Sequence, residues 1–160
     1  MDIRIRGLDP SPVQALFHAD PETLAARRAV VRIADGYPGY PCRATLDDAQ
    51  PGETVLLLHH THQPADTPFH ASHAVYFRQA ATRAWDALNE VPPALARRTL
   101  SLRAFDAAGW MVGSKLTAGV DMLAAARDLL ANPRAAYLHA HYAGPGCYAA
   151  WVGRADAPGG

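Results

Sequence analysis

The sequence predicts a single α+β domain, a mainly antiparallel β-sheet packed by two or three helices. Three observations predict it. The chain has 160 residues, a length that suits one compact domain. Segments with strand patterning outnumber those with helical patterning, and they do not follow strict βα alternation. No internal repeat, coiled-coil heptad or linker divides the chain. Residues 1–153 therefore read as the domain, and residues 154–160, small, polar and rich in Pro and Gly, as a flexible tail.

The elements follow in order. Asp2–Arg6 alternates apolar and charged residues, as a half-buried strand does. Ser11 and Pro12 open a short helical turn, and Asp20-Pro21-Glu22 caps a helix running to about Arg28. Ala29–Ala34 is a β-branched strand, and Tyr37–Pro41 is a rigid loop leading to a short strand at Cys42–Leu46. Glu53–His60 reads as a buried central strand because Val55–Leu58 leaves no polar face. Ala71–Arg78 is a strand, Gln79–Asn89 is ambiguous, and Pro92–Arg98 is a helical turn. Leu100–Asp106 alternates strictly and turns at Ala107-Ala108-Gly109 into a hairpin. Val120–Ala131 is a helix, with Leu123, Ala126, Arg127 and Leu130 three and four apart, ended by Asn132-Pro133. Ala136–Tyr142 and Cys147–Val152 are strands joined by a four-residue turn. The strands expected at the centre of the sheet are Glu53–His60, Ala71–Arg78, Leu100–Asp106 and Ala136–Tyr142.

Composition excludes several function classes. Hydrophobic residues make up 49% and charged residues 19%, so the chain can bury a core and is not disordered. Fifteen basic side chains balance fifteen acidic ones, so no nucleic-acid partner is expected. No apolar run exceeds six residues, far below the ~20 that span a bilayer. The first residues lack an apolar h-region, so the protein is expected to be cytoplasmic, with Cys42 and Cys147 as reduced thiols.

Histidine carries the functional signal. Seven of the eight histidines fall in two windows, one from His59 to His73 and one holding His139 and His141. On a strand, residues two apart share a face, ~6.5–7 Å apart, so His60 with His62, or His139 with His141, can converge on one ion or substrate group. In one reading, His62 (or His60), His139 and His141 hold a divalent transition metal such as zinc, with Cys147 or Asp66 as a fourth ligand. In another, the imidazoles form a metal-free polar pocket that binds an anion or moves protons. In the third they are structural, hydrogen-bonded to backbone or water. Cys147 is a candidate nucleophile activated by His139 or His141, or a buried inert thiol. A Cys42–Cys147 disulfide is open, depending on the fold. Arg43, Arg78 and Arg103 lie in or beside strands and must each find a partner or a surface; Arg43 or Arg103 can grip an anionic group, and the alternative for Arg103 is an ion pair with Asp66, Asp106 or Glu53. No glycine-rich phosphate loop is present, and Ser72-His73 is not a dyad because neighbouring strand residues point to opposite faces.

At Tyr40-Pro41-Cys42-Arg43, Gly52–Leu58, His62–Phe69, Ala71–Ala74, Leu102–Asp106, His139-Ala140-His141 and Gly146–Ala150, the chain resembles a bacterial family known as domain of unknown function 1203. The resemblance runs from about Ile3 to Arg154. It implies a small stand-alone protein and brings no activity with it. The expected function is a small enzyme doing acid/base or metal-assisted chemistry on a small anionic substrate. Its catalytic candidates are His73, His139, His141 and Cys147, and its ligand-binding candidates Arg43, His62, Gln63, Arg103 and Tyr148. The alternative is a non-catalytic accessory protein, in one form a homodimer, that binds a small molecule or metal.

Overall fold

The computed structural model of the protein describes residues 1–157. Among these residues nine strands form two antiparallel sheets. The larger is built from β1 (Ile3–Arg6), β5 (Asp86–Leu88), β6 (Thr99–Phe105), β7 (Met111–Ala118), β8 (Tyr137–Tyr142) and β9 (Tyr148–Arg154), in the order β5-β1-β9-β8-β6-β7. The smaller is β2 (Ala29–Ile33), β3 (Thr54–Gln63) and β4 (Ala71–Arg78), with β3 in the middle. Helices α1 (Pro21–Ala26), α2 (Pro93–Ala96) and α3 (Met122–Leu130), with 3-10 turns at Ser11–His18 and Gly119–Asp121, complete the α+β domain.

Local chemistry explains the helix ends. The Asp20 side chain accepts a 2.7 Å hydrogen bond from the Thr23 amide at the start of α1, and Pro21 occupies the first turn. In α3, Met122, Ala125, Ala126 and Leu130 recur at three and four residues and bury one stripe against the larger sheet. Leu102 and Ala104 of β6, Leu138 and Ala140 of β8, and Ala150 and Val152 of β9 form the other side of that core. Strand alternation then directs His139 and His141 away from α3 and toward the smaller sheet.

The single expected sheet is corrected to two. Ala71–Arg78 is an edge of the smaller one, while β1 and β9 occupy the interior of the larger. The cause is a second core of Leu56, Leu58, Val75 and Phe77 with Val13, Leu16 and Phe17, which the 3-10 turn covers. Cys42–Leu46 is no strand. Cys42 makes one isolated bridge to Tyr76, and the chain turns back at Leu46, whose φ is 52° and whose amide bonds the Cys42 carbonyl. The ambiguous stretch contributes the short β5, and β3 runs to Gln63 rather than ending at His60. The last strand continues to Arg154, past the expected start of the tail, because the Arg154 guanidinium donates to the Leu130 and Ala135 carbonyls at 2.6 and 2.9 Å. The rest of the expected tail forms a turn as far as Ala157, and residues 158–160 lie outside the described residues.

Candidate metal centre

Two irregularities in strand pairing bring the histidine windows together. In β3, Thr61 pairs with Ser72 and Gln63 with Ala71, so His62 is an extra, unpaired residue, a β-bulge. The bulge turns the end of β3 toward the histidine face of β8. There the His139 and His141 ring centroids lie 6.3 Å apart, as the strand repeat requires. His62 Nδ1 comes within 3.4 Å of His139 Nδ1, and His62 Nε2 within 2.8 Å of His73 Nδ1, with the His62 and His73 rings inclined by only 7°. On β9, a second bulge at Ala149 sets Tyr148 opposite His141, and the Tyr148 ring stacks on His62 at 4.8 Å. One ligand nitrogen from each of His62, His139 and His141 lies within 4.8 Å of the other two.

The protonation states follow from the partners. His141 Nδ1 lies 3.0 Å from the Gly146 carbonyl, and a carbonyl can only accept, so Nδ1 carries the proton. Gly146 adopts φ 79°, a backbone state that glycine takes without a Cβ penalty, and this turn presents its carbonyl. His141 Nε2 is left as a bare lone pair, buried and with no hydrogen-bond partner. Burial pushes the pKa of His62, His139 and His141 down to about 3, reinforced by their mutual repulsion and by Arg103. Burial lowers His73 as well. The cluster is therefore a set of neutral imidazoles at pH 7.

That donor set fits a zinc-class ion. At Zn–N distances of ~2.0–2.1 Å, a tetrahedral angle separates two ligand nitrogens by about 3.4 Å, the spacing found between His62 and His139. His141, fixed through its other nitrogen by a backbone carbonyl, has the second contact typical of a metal-bound histidine. His62 and His139 line a cavity of about 610 Å³ together with Gln63, Tyr137, Tyr148 and Trp151. A ligand could thus approach the cluster from solvent. A separate cavity, of about 580 Å³ beside Arg83, Trp85 and Glu90, is lined by no histidine or cysteine.

The remaining candidates divide. His60 lines the same cavity but pairs with His73 across the strands and is not among the three clustered ligands. Neither Asp66 nor Cys147 joins them as a fourth. The Gln63 side chain is buried, donates to the Tyr137 hydroxyl at 2.8 Å and accepts from the Ala65 amide, so it ties the loop after β3 to β8. Arg103 pairs in register with His139 and has no carboxylate partner among the described residues. The ion pair weighed for Arg103 therefore does not form there, whereas Arg78 pairs with Glu53 at 2.8 Å. Cys147 meets Arg43 Nη2 at 3.0 Å rather than His139 or His141, and it lines a different cavity. Cys42 and Cys147 are both free thiols. Tyr137, Tyr142 and Arg98 carry no local sequence signal, because their roles arise from contacts between distant segments.

No helix among the described residues is long and apolar enough to cross a membrane. Searches of curated proteins and of solved structures each returned no match. Residues 39–154 match the family model described as protein of unknown function (DUF1203), a span that contains every residue of the cluster. The chain belongs to the DUF1203 family.

Proposed function

We propose that His62, His139 and His141 hold a divalent transition metal, zinc being the best match, and that the protein performs metal-assisted chemistry on a small anionic molecule entering the cavity beside them. The observation that carries this reading is His141: its Nδ1 proton is committed to the Gly146 carbonyl, and its buried Nε2 lone pair has no protein partner. Three imidazoles leave a fourth coordination position, which is the arrangement of catalytic rather than closed structural sites. An ion held there would act as a Lewis acid and lower the pKa of a bound water toward ~7. Around it, His73 fixes the His62 ring through the 2.8 Å contact. Arg103, half-buried, in register with His139 and without a carboxylate partner among the described residues, adds positive charge beside the cluster. The second reading, a non-catalytic metal-binding protein, is favoured by the complete burial of His141.

Metal analysis of protein purified without a histidine tag tests the proposal. One bound equivalent is expected, lost in a folded His139→Ala/His141→Ala variant. Absence of metal after purification and after zinc addition would overturn it. Zinc-dependent cleavage in a panel of activated esters and phosphate esters separates the catalytic reading from the binding one.

A further inference from the structure

A second cavity, of about 470 Å³, lies on the far side of His73 and shares no lining residue with the first. Arg43, Arg98, Tyr142, Cys147, Leu57 and His73 are among its walls. Two buried polar groups there lack what their chemistry requires.

The first is Arg43, 2% exposed. Its Nε donates to the Tyr148 carbonyl at 2.8 Å, Nη1 to the Pro41 carbonyl, and Nη2 to Cys147 Sγ at 3.0 Å. A guanidinium has five N–H groups, so two remain unassigned. No carboxylate pairs with Arg43 among the described residues. The nearby Asp48 is already shared by Arg97 and Arg98, its oxygen 2.6 Å from Arg98 Nη2. The second group is Tyr142, also 2% exposed, whose hydroxyl has no hydrogen-bond partner. Its ring lies 5.0 Å from both the Arg43 and the Arg98 guanidinium.

A buried cation without an anion and a buried phenol without an acceptor are each unfavourable alone. Together at one cavity wall they lack the same thing, a negatively charged acceptor. We propose that this cavity is a binding site for a small carboxylate-bearing molecule, its carboxylate held by Arg43 and the Tyr142 hydroxyl. One uncompensated positive charge matches a monoanion. Leu57 and Tyr76 in the lining give the organic body an apolar surface. The site needs no metal and stands independently of the centre proposed above. It still touches that centre through His73, which bonds His62, and through Tyr148, whose carbonyl accepts from Arg43 and whose ring stacks on His62.

Calorimetric titration of chelator-treated protein with benzoate, acetate and inorganic phosphate tests this. Saturable one-to-one binding of benzoate is expected, weaker binding of acetate, and weakest of phosphate. Tyr142→Phe should weaken benzoate by about tenfold, the loss of one hydrogen bond to a charged group, with the melting temperature unchanged or raised because the hydroxyl bonds nothing in the free protein. Arg43→Lys should weaken it further, whereas His139→Ala should leave it unchanged. No saturable binding in the range of about 10 mM would overturn the site. So would wild-type affinity in Tyr142→Phe, a marked fall in that variant's melting temperature, or loss of binding in His139→Ala, which would place the anion at the histidine cluster. Tight phosphate binding with none of benzoate would overturn the carboxylate assignment.

Discussion

Acidification of the metal-free protein should unfold it in a way traceable to two residues. His139 and His141 are 4% and 0% exposed, and burial lowers both pKa values to about 3, against 6.5 in an unfolded chain. The folded-state values are depressed and the groups are bases. The unfolded chain therefore binds protons below pH 6.5 that the folded chain refuses. Stability is full above 6.5 and falls as the pH drops toward 3. Between about pH 7.5 and 5.5, each histidine contributes a loss of about 1.4 kcal/mol, so the pair loses about 3 kcal/mol. His62, more exposed, adds less. Domains of this kind have about 5–15 kcal/mol in total, so the shift in urea midpoint is large. The assay is urea unfolding of chelator-treated protein across that range, beside His139→Gln/His141→Gln. The variant should show a much shallower slope. Equal slopes in the two proteins, or wild-type stability that rises on acidification, would refute the assignment of neutral buried imidazoles.

Three substitutions probe the packing directly. Asp48, with a fully buried side chain, bonds Arg97, Arg98 and the Gly39 amide. Burial pulls its pKa up, but these donors bring it below the ordinary carboxylate value. Asp48→Ala should destabilise by about 3–5 kcal/mol in urea unfolding, because it leaves arginines unpaired. Gly119→Ala would drive a Cβ into the Leu95 carbonyl, backbone that cannot move aside, and should lower stability by about 1–3 kcal/mol in the same assay. Arg154→Ala removes the donor to the Leu130 carbonyl at the end of α3 and the Ala135 carbonyl beyond it, and should cost about 1–3 kcal/mol, with faster amide exchange at the end of β9 as the accompanying signature.

How legible the site was in the sequence depended on whether a residue's role is local. The His139–His141 pair follows from two-residue spacing on a strand, and the apolar stripe of α3 from helical spacing. The same spacing names His62 or His60 as the third ligand without choosing between them. Regular alternation places it on the face of His60, but only the bulge opposite Ser72 and Ala71 explains why it, and not His60, meets β8. The two-sheet division was hidden for a related reason. An apolar run such as Val55–Leu58 announces burial without saying which core it enters, and the 3-10 turn over Leu56 and Phe77 decides that. The unpaired state of Arg43 was out of reach, since it depends on Asp48 being taken by arginines about fifty residues away.

The contact between His62 and His139 spans 77 positions of chain and joins the two sheets. An ion seated there would rivet two layers, closing a loop whose entropy in the unfolded chain is worth about 4 kcal/mol by cross-link reasoning. Release of the ion would then be tied to the layers parting, and the rate at which a strong chelator strips it would clock that breathing motion.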